Sequence, residues 1–278
     1  MFRSKILFYV AVVVMTGLAC ATSGSNGLLD SNSLATVVVA TSHAAAAQTA
    51  DVIFQTGVPT VVPTGAIATV TALAITPQVS AEGTSLAKQA DGSYIFTDQP
   101  GGYSIVVPPG WLAMRIDEQD ISNARISLAN SDPQIQASLS SLQNDDPKVD
   151  RLVAIDTSPS DLQAGYVANL IVFWTKNDPD TIEQDIATAK TGLPKSIPSL
   201  KITYADMGTT STHIPMGIIE TSAKKTTSSK QSYTLFQKLI IFKLNSGSVT
   251  MMLSTALQLK EKLVPGFDLM TDQIKLLP

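Results

Sequence analysis

The sequence predicts an α+β domain over residues 91–278, an antiparallel β-sheet with helices packed on it. Three observations lead there. From Asp91 onward, strand and helix signals come in runs rather than in strict alternation. The long stretches TLFQKLIIFKL and VTMMLSTALQL suit antiparallel strands with one or both faces covered. Both tryptophans and five of the six tyrosines also lie beyond Asp91, so the large side chains needed for a core are concentrated there.

The elements follow in order. Ser93–Phe96 and Tyr103–Val107 read as short strands around the turn Gln99-Pro100-Gly101-Gly102, and Pro108-Pro109-Gly110 ends the second. Trp111 opens a third strand, WLAMRI. Asp117–Leu128 reads as a helix with acidic residues at its N-terminus. Pro133 takes a first-turn position in a second helix, PQIQASLSSLQ, and Asp145-Asp146-Pro147 opens a short turn. Arg151–Asp156 is a strand, and Ala168–Lys176 is a strand buried on both faces. A helix over 180–195 places Ile182, Ile186 and Ala189 on one side. Four strands follow, Lys201–Met207, Met216–Lys224, Tyr233–Leu244 and Ser248–Leu257, the last two joined by the turn Asn245-Ser246-Gly247. The apolar spacing of Phe267, Met270, Ile274 and Leu277 predicts a closing helix over 267–277.

The stretch Gly102-Tyr103-Ser104-Ile105-Val106-Val107-Pro108-Pro109-Gly110-Trp111 resembles the opening of domains with the PsbP/Mog1 fold. The order of strands and helices over residues 91–278 is similar to theirs as well, with a longer helical insert at 117–147. The resemblance implies an α/β/α sandwich. It also implies a non-enzymatic role, because members mostly assist photosystem assembly, bind small GTPases or sit on bacterial surfaces as lipoproteins. Fold alone does not transfer function, so no binding residue is carried over.

The N-terminal end has a different texture. Arg3 and Lys5 precede the unbroken apolar run Ile6–Met15, and small residues lead to Cys20. That is the build of a secretory signal, and the apolar stretch is shorter than the ~20 residues a bilayer-spanning helix needs. Cys20 is the chain's single cysteine. The site resembles the lipobox of bacterial lipoproteins, with Ala19 just before the thiol that accepts lipid. Two or three acyl chains there give stable anchoring. The expected organisation is a signal peptide at 1–19 and a lipidated Cys20 opening a flexible linker over 20–90, followed by the globular domain at 91–278. The linker is rich in Ala, Thr, Val, Ser and Pro and carries one aromatic residue, Phe54. It lacks the large side chains needed to offset ordering entropy. As a random coil its ~70 residues reach roughly 45 Å.

Composition narrows the function. A net charge of −4 argues against a nucleic-acid partner. One cysteine excludes an internal disulfide and a multi-thiolate zinc site. The two histidines, His43 and His213, are far apart. Ser85-Leu86-Ala87-Lys88 and Lys190-Thr191-Gly192 occur in the order seen in serine β-lactamases. However, the first lies in the expected linker, and Gly192 reads as a helix C-cap. Asp145, Asp146 and Asp150, and Asp178, Asp180 and Glu183, lack EF-hand spacing and read as caps and helix starts. Trp111 and Trp174 read as core. Lys224, Lys225 and Lys230 mark a basic hairpin tip. The expectation is a membrane lipoprotein facing outside the cytoplasm, with no cofactor and no metal, whose non-catalytic domain binds an envelope protein partner or assists assembly. The alternatives are an extracytoplasmic hydrolase and a purely structural envelope protein.

Overall fold

A computed structural model describes residues 79–278, apart from 129–131, 143–144, 163, 165 and 227–231. The expected signal at 1–19, Cys20, His43 and the linker up to residue 78 lie outside the described residues.

Three short strands open the domain: β1 (Thr84–Lys88), β2 (Tyr94–Asp98) and β3 (Tyr103–Val107). They are followed by β4 (Trp111–Arg115), α1 (Glu118–Ser127), α2 (Pro133–Ser141), β5 (Asp150–Asp156), the single turn α3 (Pro159–Leu162) and β6 (Asn169–Lys176). The second half runs α4 (Ile182–Ser196), β7 (Leu200–Thr209), β8 (Pro215–Thr226), β9 (Ser232–Leu244), β10 (Gly247–Ala256), α5 (Lys260–Asp272) and β11 (Lys275–Leu276).

The strands divide between two antiparallel sheets. One has seven strands in the order β4-β5-β6-β10-β9-β8-β7, and the other has four in the order β1-β2-β3-β11. Period-two alternation sends successive side chains of the large sheet to opposite faces. On one face Leu152, Val172, Trp174, Phe242 and Met251 meet Phe96, Tyr103 and Ile105 of the small sheet, with Phe267 and Met270 of α5. On the other face Phe173, Leu239 and Ile241 pack under Ile186 and Leu193 of α4. Val153 and Ile155 pack there under Ile135 and Leu139 of α2. The large sheet is therefore a filling between two covers, an α+β layered architecture of the expected class. Each fully buried Phe, Ile or Leu contributes about 1.5–3 kcal/mol.

Local chemistry fixes the ends of the elements. Asp117 caps α1 by accepting from the Asp120 N–H at 2.7 Å. Thr181 and Gln184 form a reciprocal capping box at the start of α4. Pro133 sits in the first turn of α2, as expected. Two glycines are demanded by space. A Cβ on Gly217 would stand 2.8 Å from Ile182 Cγ2, so α4 lies close over β8 only because that position is bare. Gly247 has φ 143°, and a Cβ there would stand 2.1 Å from the Thr175 carbonyl oxygen.

Three expectations are corrected. The folded region starts before Asp91, since Thr84–Lys88 pairs along its whole length with β2. Leu86 is its one large apolar side chain and packs against the core, and the rest of its order comes from pairing in the sheet. The closing helix spans Lys260–Asp272 instead of 267–277. Pro265 lies inside it, and the burial of Leu263, Phe267 and Met270 outweighs the lost backbone bond. Ile274 is buried just past the helix end, and Lys275–Leu276 pairs with β3. Gly192 is not a C-cap, because α4 continues to Ser196, drawn on by Leu193, which is completely buried.

Candidate functional site

The small sheet and α5 cover only part of their face of the large sheet. Over β7, β8 and β9 that face remains open as a trough of about 630 Å³. Alternation brings Ile218, Glu220 and Ser222 of β8 to its floor, beside Phe236 and Lys238 of β9. Tyr204 of β7 lines the far side with 45% of its surface exposed, and Leu257 and Lys260 form the near wall.

The charges in the trough are arranged in pairs. Lys238, nearly buried, reaches Asp268 of α5 at 2.7 Å and lies 3.7 Å from Glu220. Glu220 accepts from Lys260 at 3.0 Å. The Lys260 ammonium also stands 4.5 Å from the centre of the Phe236 ring, a cation–π contact. An apolar floor overlaid with compensated charge gives a polar surface with little net field. Such a surface suits a protein partner better than a free ion.

Other polar clusters serve the frame. Asp98 and Arg151 form a wholly buried ion pair under Trp174. Beside Arg151, a second cavity of about 640 Å³ lies between residues 80–84 and α1, with Arg125 and Asp145 on its wall. Lys243 is held between Asp178 and Asp185 at 2.7 Å each. Burial pushes the Asp178 carboxyl up, but the bonds from Lys243 and Ser248 outweigh it and hold it below the usual range. At the end of β5, Asp156 is raised to about 6 by burial first and then by its hydrogen bond with Asp161. Lys262 of α5 donates to both oxygens of Asp161, at 2.6 and 2.7 Å. Burial raises Asp161, yet these bonds and that of Ser160 leave it below the ordinary carboxylate range. Of the two, Asp161 therefore ionises first and Asp156 later, and neither carboxylate lines the trough.

The remaining residues singled out from sequence are dispersed. Ser85 and Lys88 lie on β1 in the small sheet, where the Lys88 ammonium stands 5.6 Å from the Tyr94 ring centre. Lys190-Thr191-Gly192 lies on α4, across the large sheet. Trp174 is core, and Trp111 packs half-buried against it. His213 is exposed in the β7–β8 loop. Asp145 and Asp146 precede β5, which Asp150 opens. Lys224 and Lys225 end β8, and Lys230 lies outside the described residues. Among the described residues no group of three or more His, Cys, Asp or Glu is arranged to hold a metal, and no helix is long and apolar enough to cross a membrane. Sequence reading did not single out Tyr204, Glu220, Phe236, Lys238 or Lys260. Their only signal was the alternation that puts Glu220 and Ser222, and Phe236 and Lys238, on one face.

No protein family model matches the sequence, and no curated protein sequence matches it. Among solved structures, the chain is similar to cyanobacterial PsbP (CyanoP) from Synechocystis sp. PCC 6803, at 12% identity and a TM-score of 0.41, over 68% of this chain and 94% of that one. It is similar to the Ran-binding protein Mog1p of Saccharomyces cerevisiae at 10% identity and a TM-score of 0.37, over 63% and 90% of the two chains. Similarity to LpqN of Mycobacterium tuberculosis, involved in cell envelope biogenesis, is at 14% identity and a TM-score of 0.35, over 46% and 72%.

Proposed function

We propose that this chain is exported, acylated on Cys20 and held at the outer side of the cell membrane, where its domain binds an envelope protein through the trough on β7–β9 without catalysing a reaction. The charged start, short apolar run and lone cysteine support the anchor. The observation that carries the binding role is the trough. Its Tyr204, Leu257 and part-exposed Ile218 offer apolar area, and its lysines arrive already neutralised by Glu220 and Asp268. A partner therefore covers it without burying an uncompensated charge.

The test is site-specific photocrosslinking in intact cells carrying the full chain. A photoreactive residue replaces Ser222 in the trough or, as a control, Lys190 on the exposed side of α4. A discrete heteromeric adduct from position 222 that is missing from position 190 is the expected result. Identical adduct patterns from the two positions, or none from 222, overturn the binding role.

A further inference from the structure

β7 is an edge strand: among the described residues it pairs only with β8. An edge of ten residues presents a row of outward N–H and C=O groups that invites another strand. Lys201, Thr203, Tyr204, Asp206 and Met207 along it are exposed. The strand is not regular, however. Its register against β8 shifts between Ile202 and Tyr204, with Thr203 as the extra residue.

That shift changes which residues share a face. Lys201 lies opposite Ser222, Tyr204 opposite Glu220 and Asp206 opposite Ile218. All three partners line the trough, so Lys201, Tyr204 and Asp206 stand on the trough face although their numbering alternates. Ile202 and Ala205 stand on the α4 face. A regular strand laid along this edge falls out of phase on one side of Thr203, its apolar and polar sides exchanged. Only a strand with its own extra residue at the matching place stays in phase throughout.

We propose that the occupant of this edge is a second copy of the chain, paired β7 to β7 antiparallel about a two-fold axis between Thr203 and Tyr204. In that register Lys201 lies opposite Asp206 of the second copy, Ile202 opposite Ala205 and Thr203 opposite Tyr204, and symmetry repeats each pair. Every opposed pair is on one face, and both charge pairs are of opposite sign. The two bulges meet at the axis, and the isologous contact closes on itself without further growth. The two large sheets become continuous, and the two troughs lie side by side with each Tyr204 at the seam. This pairing does not depend on what the trough binds.

Charge reversal tests the register. The full chain is purified in detergent as wild type, as Lys201→Glu and as Asp206→Lys, and its protein mass is measured by sedimentation. Wild type is expected as a dimer. Each variant alone sets like charges opposite one another and is expected at half that mass. Mixed in equal amounts, the two variants set the introduced Glu opposite the introduced Lys at one pair and the native Asp206 opposite the native Lys201 at the other, and are expected to recover the dimer as a heterodimer. A monomeric wild type, variants that remain dimeric, or a mixture that stays monomeric overturns the proposal.

Discussion

Arg151 donates through Nε and Nη2 to the two carboxylate oxygens of Asp98, at 2.7 and 3.1 Å, and both side chains are buried. Nη1 also donates to the Pro147 carbonyl at 2.7 Å and Nη2 to the Glu82 carbonyl at 2.8 Å. One planar cation therefore ties β5 of the large sheet to β2 of the small sheet and to the turn before β1. Breaking such a pair strands a charge in the interior. Arg151→Met or Asp98→Asn is expected to destabilise the domain by about 3–5 kcal/mol, measured by urea denaturation. The double variant is expected to lose less than the sum of the two single losses.

The same contact makes the turn before β1 part of the domain. A chain beginning at Asp91 lacks β1 and the Glu82 carbonyl that Arg151 holds. It is expected to melt well below a chain beginning at Val79. Equal melting temperatures for the two truncations would restore the boundary expected from sequence.

Stability is expected to fall as pH rises through the range where Asp156 and Asp150 ionise. Burial raises Asp156 to about 6 and Asp150 to about 7, with Asp145 adding charge repulsion on Asp150. An unfolded aspartate ionises near about 4. Folding therefore favours the protonated form of each. That contribution is present in full below about pH 4 and is lost progressively up to the folded values. Urea midpoints measured between pH 5 and about pH 8 should decline in wild type and decline less in Asp150→Asn. A flat profile in wild type would contradict the assignment.

Gly217→Val forces α4 away from β8, because the first added carbon already stands 2.8 Å from Ile182. The expected loss is about 1–3 kcal/mol by urea denaturation. Adding Ile182→Ala should return part of it.

Cys20→Ser is expected to abolish incorporation of a fatty-acid probe and to release the protein from the membrane fraction. Labelling that persists in the variant would rule out Cys20 as the acceptor.

Much of the fold was legible because its long strands carry period-two patterns and its turns carry Gly, Pro and Asn. The hairpin at Asn245-Ser246-Gly247 and the buried strand around Trp174 were read correctly for those reasons. β1 was missed because Thr84–Lys88 has a single large apolar side chain, Leu86, and gains most of its order from β2. The closing helix was placed late because Pro265-Gly266 resembles a break. The separation into two sheets left no local mark, because it depends on which strands find one another across the chain. The trough was only half visible. Alternation puts Ile218, Glu220 and Ser222 on one face, but nothing local shows that α5 stops short of covering them. The extra residue at Thr203 is silent in sequence too, since TYAD reads as ordinary strand.

The grip of Arg151 on the Glu82 carbonyl also has a mechanical meaning. Traction applied to the chain ahead of Val79 reaches that carbonyl before it reaches the ladder between β1 and β2. After the Val79–Ser85 bridge and the bonds between Ser80 and Thr84, the next joint to bear load is thus anchored beneath Trp174 in the interior. A molecule tugged from its N-terminal side would resist peeling up to the force that extracts a buried guanidinium.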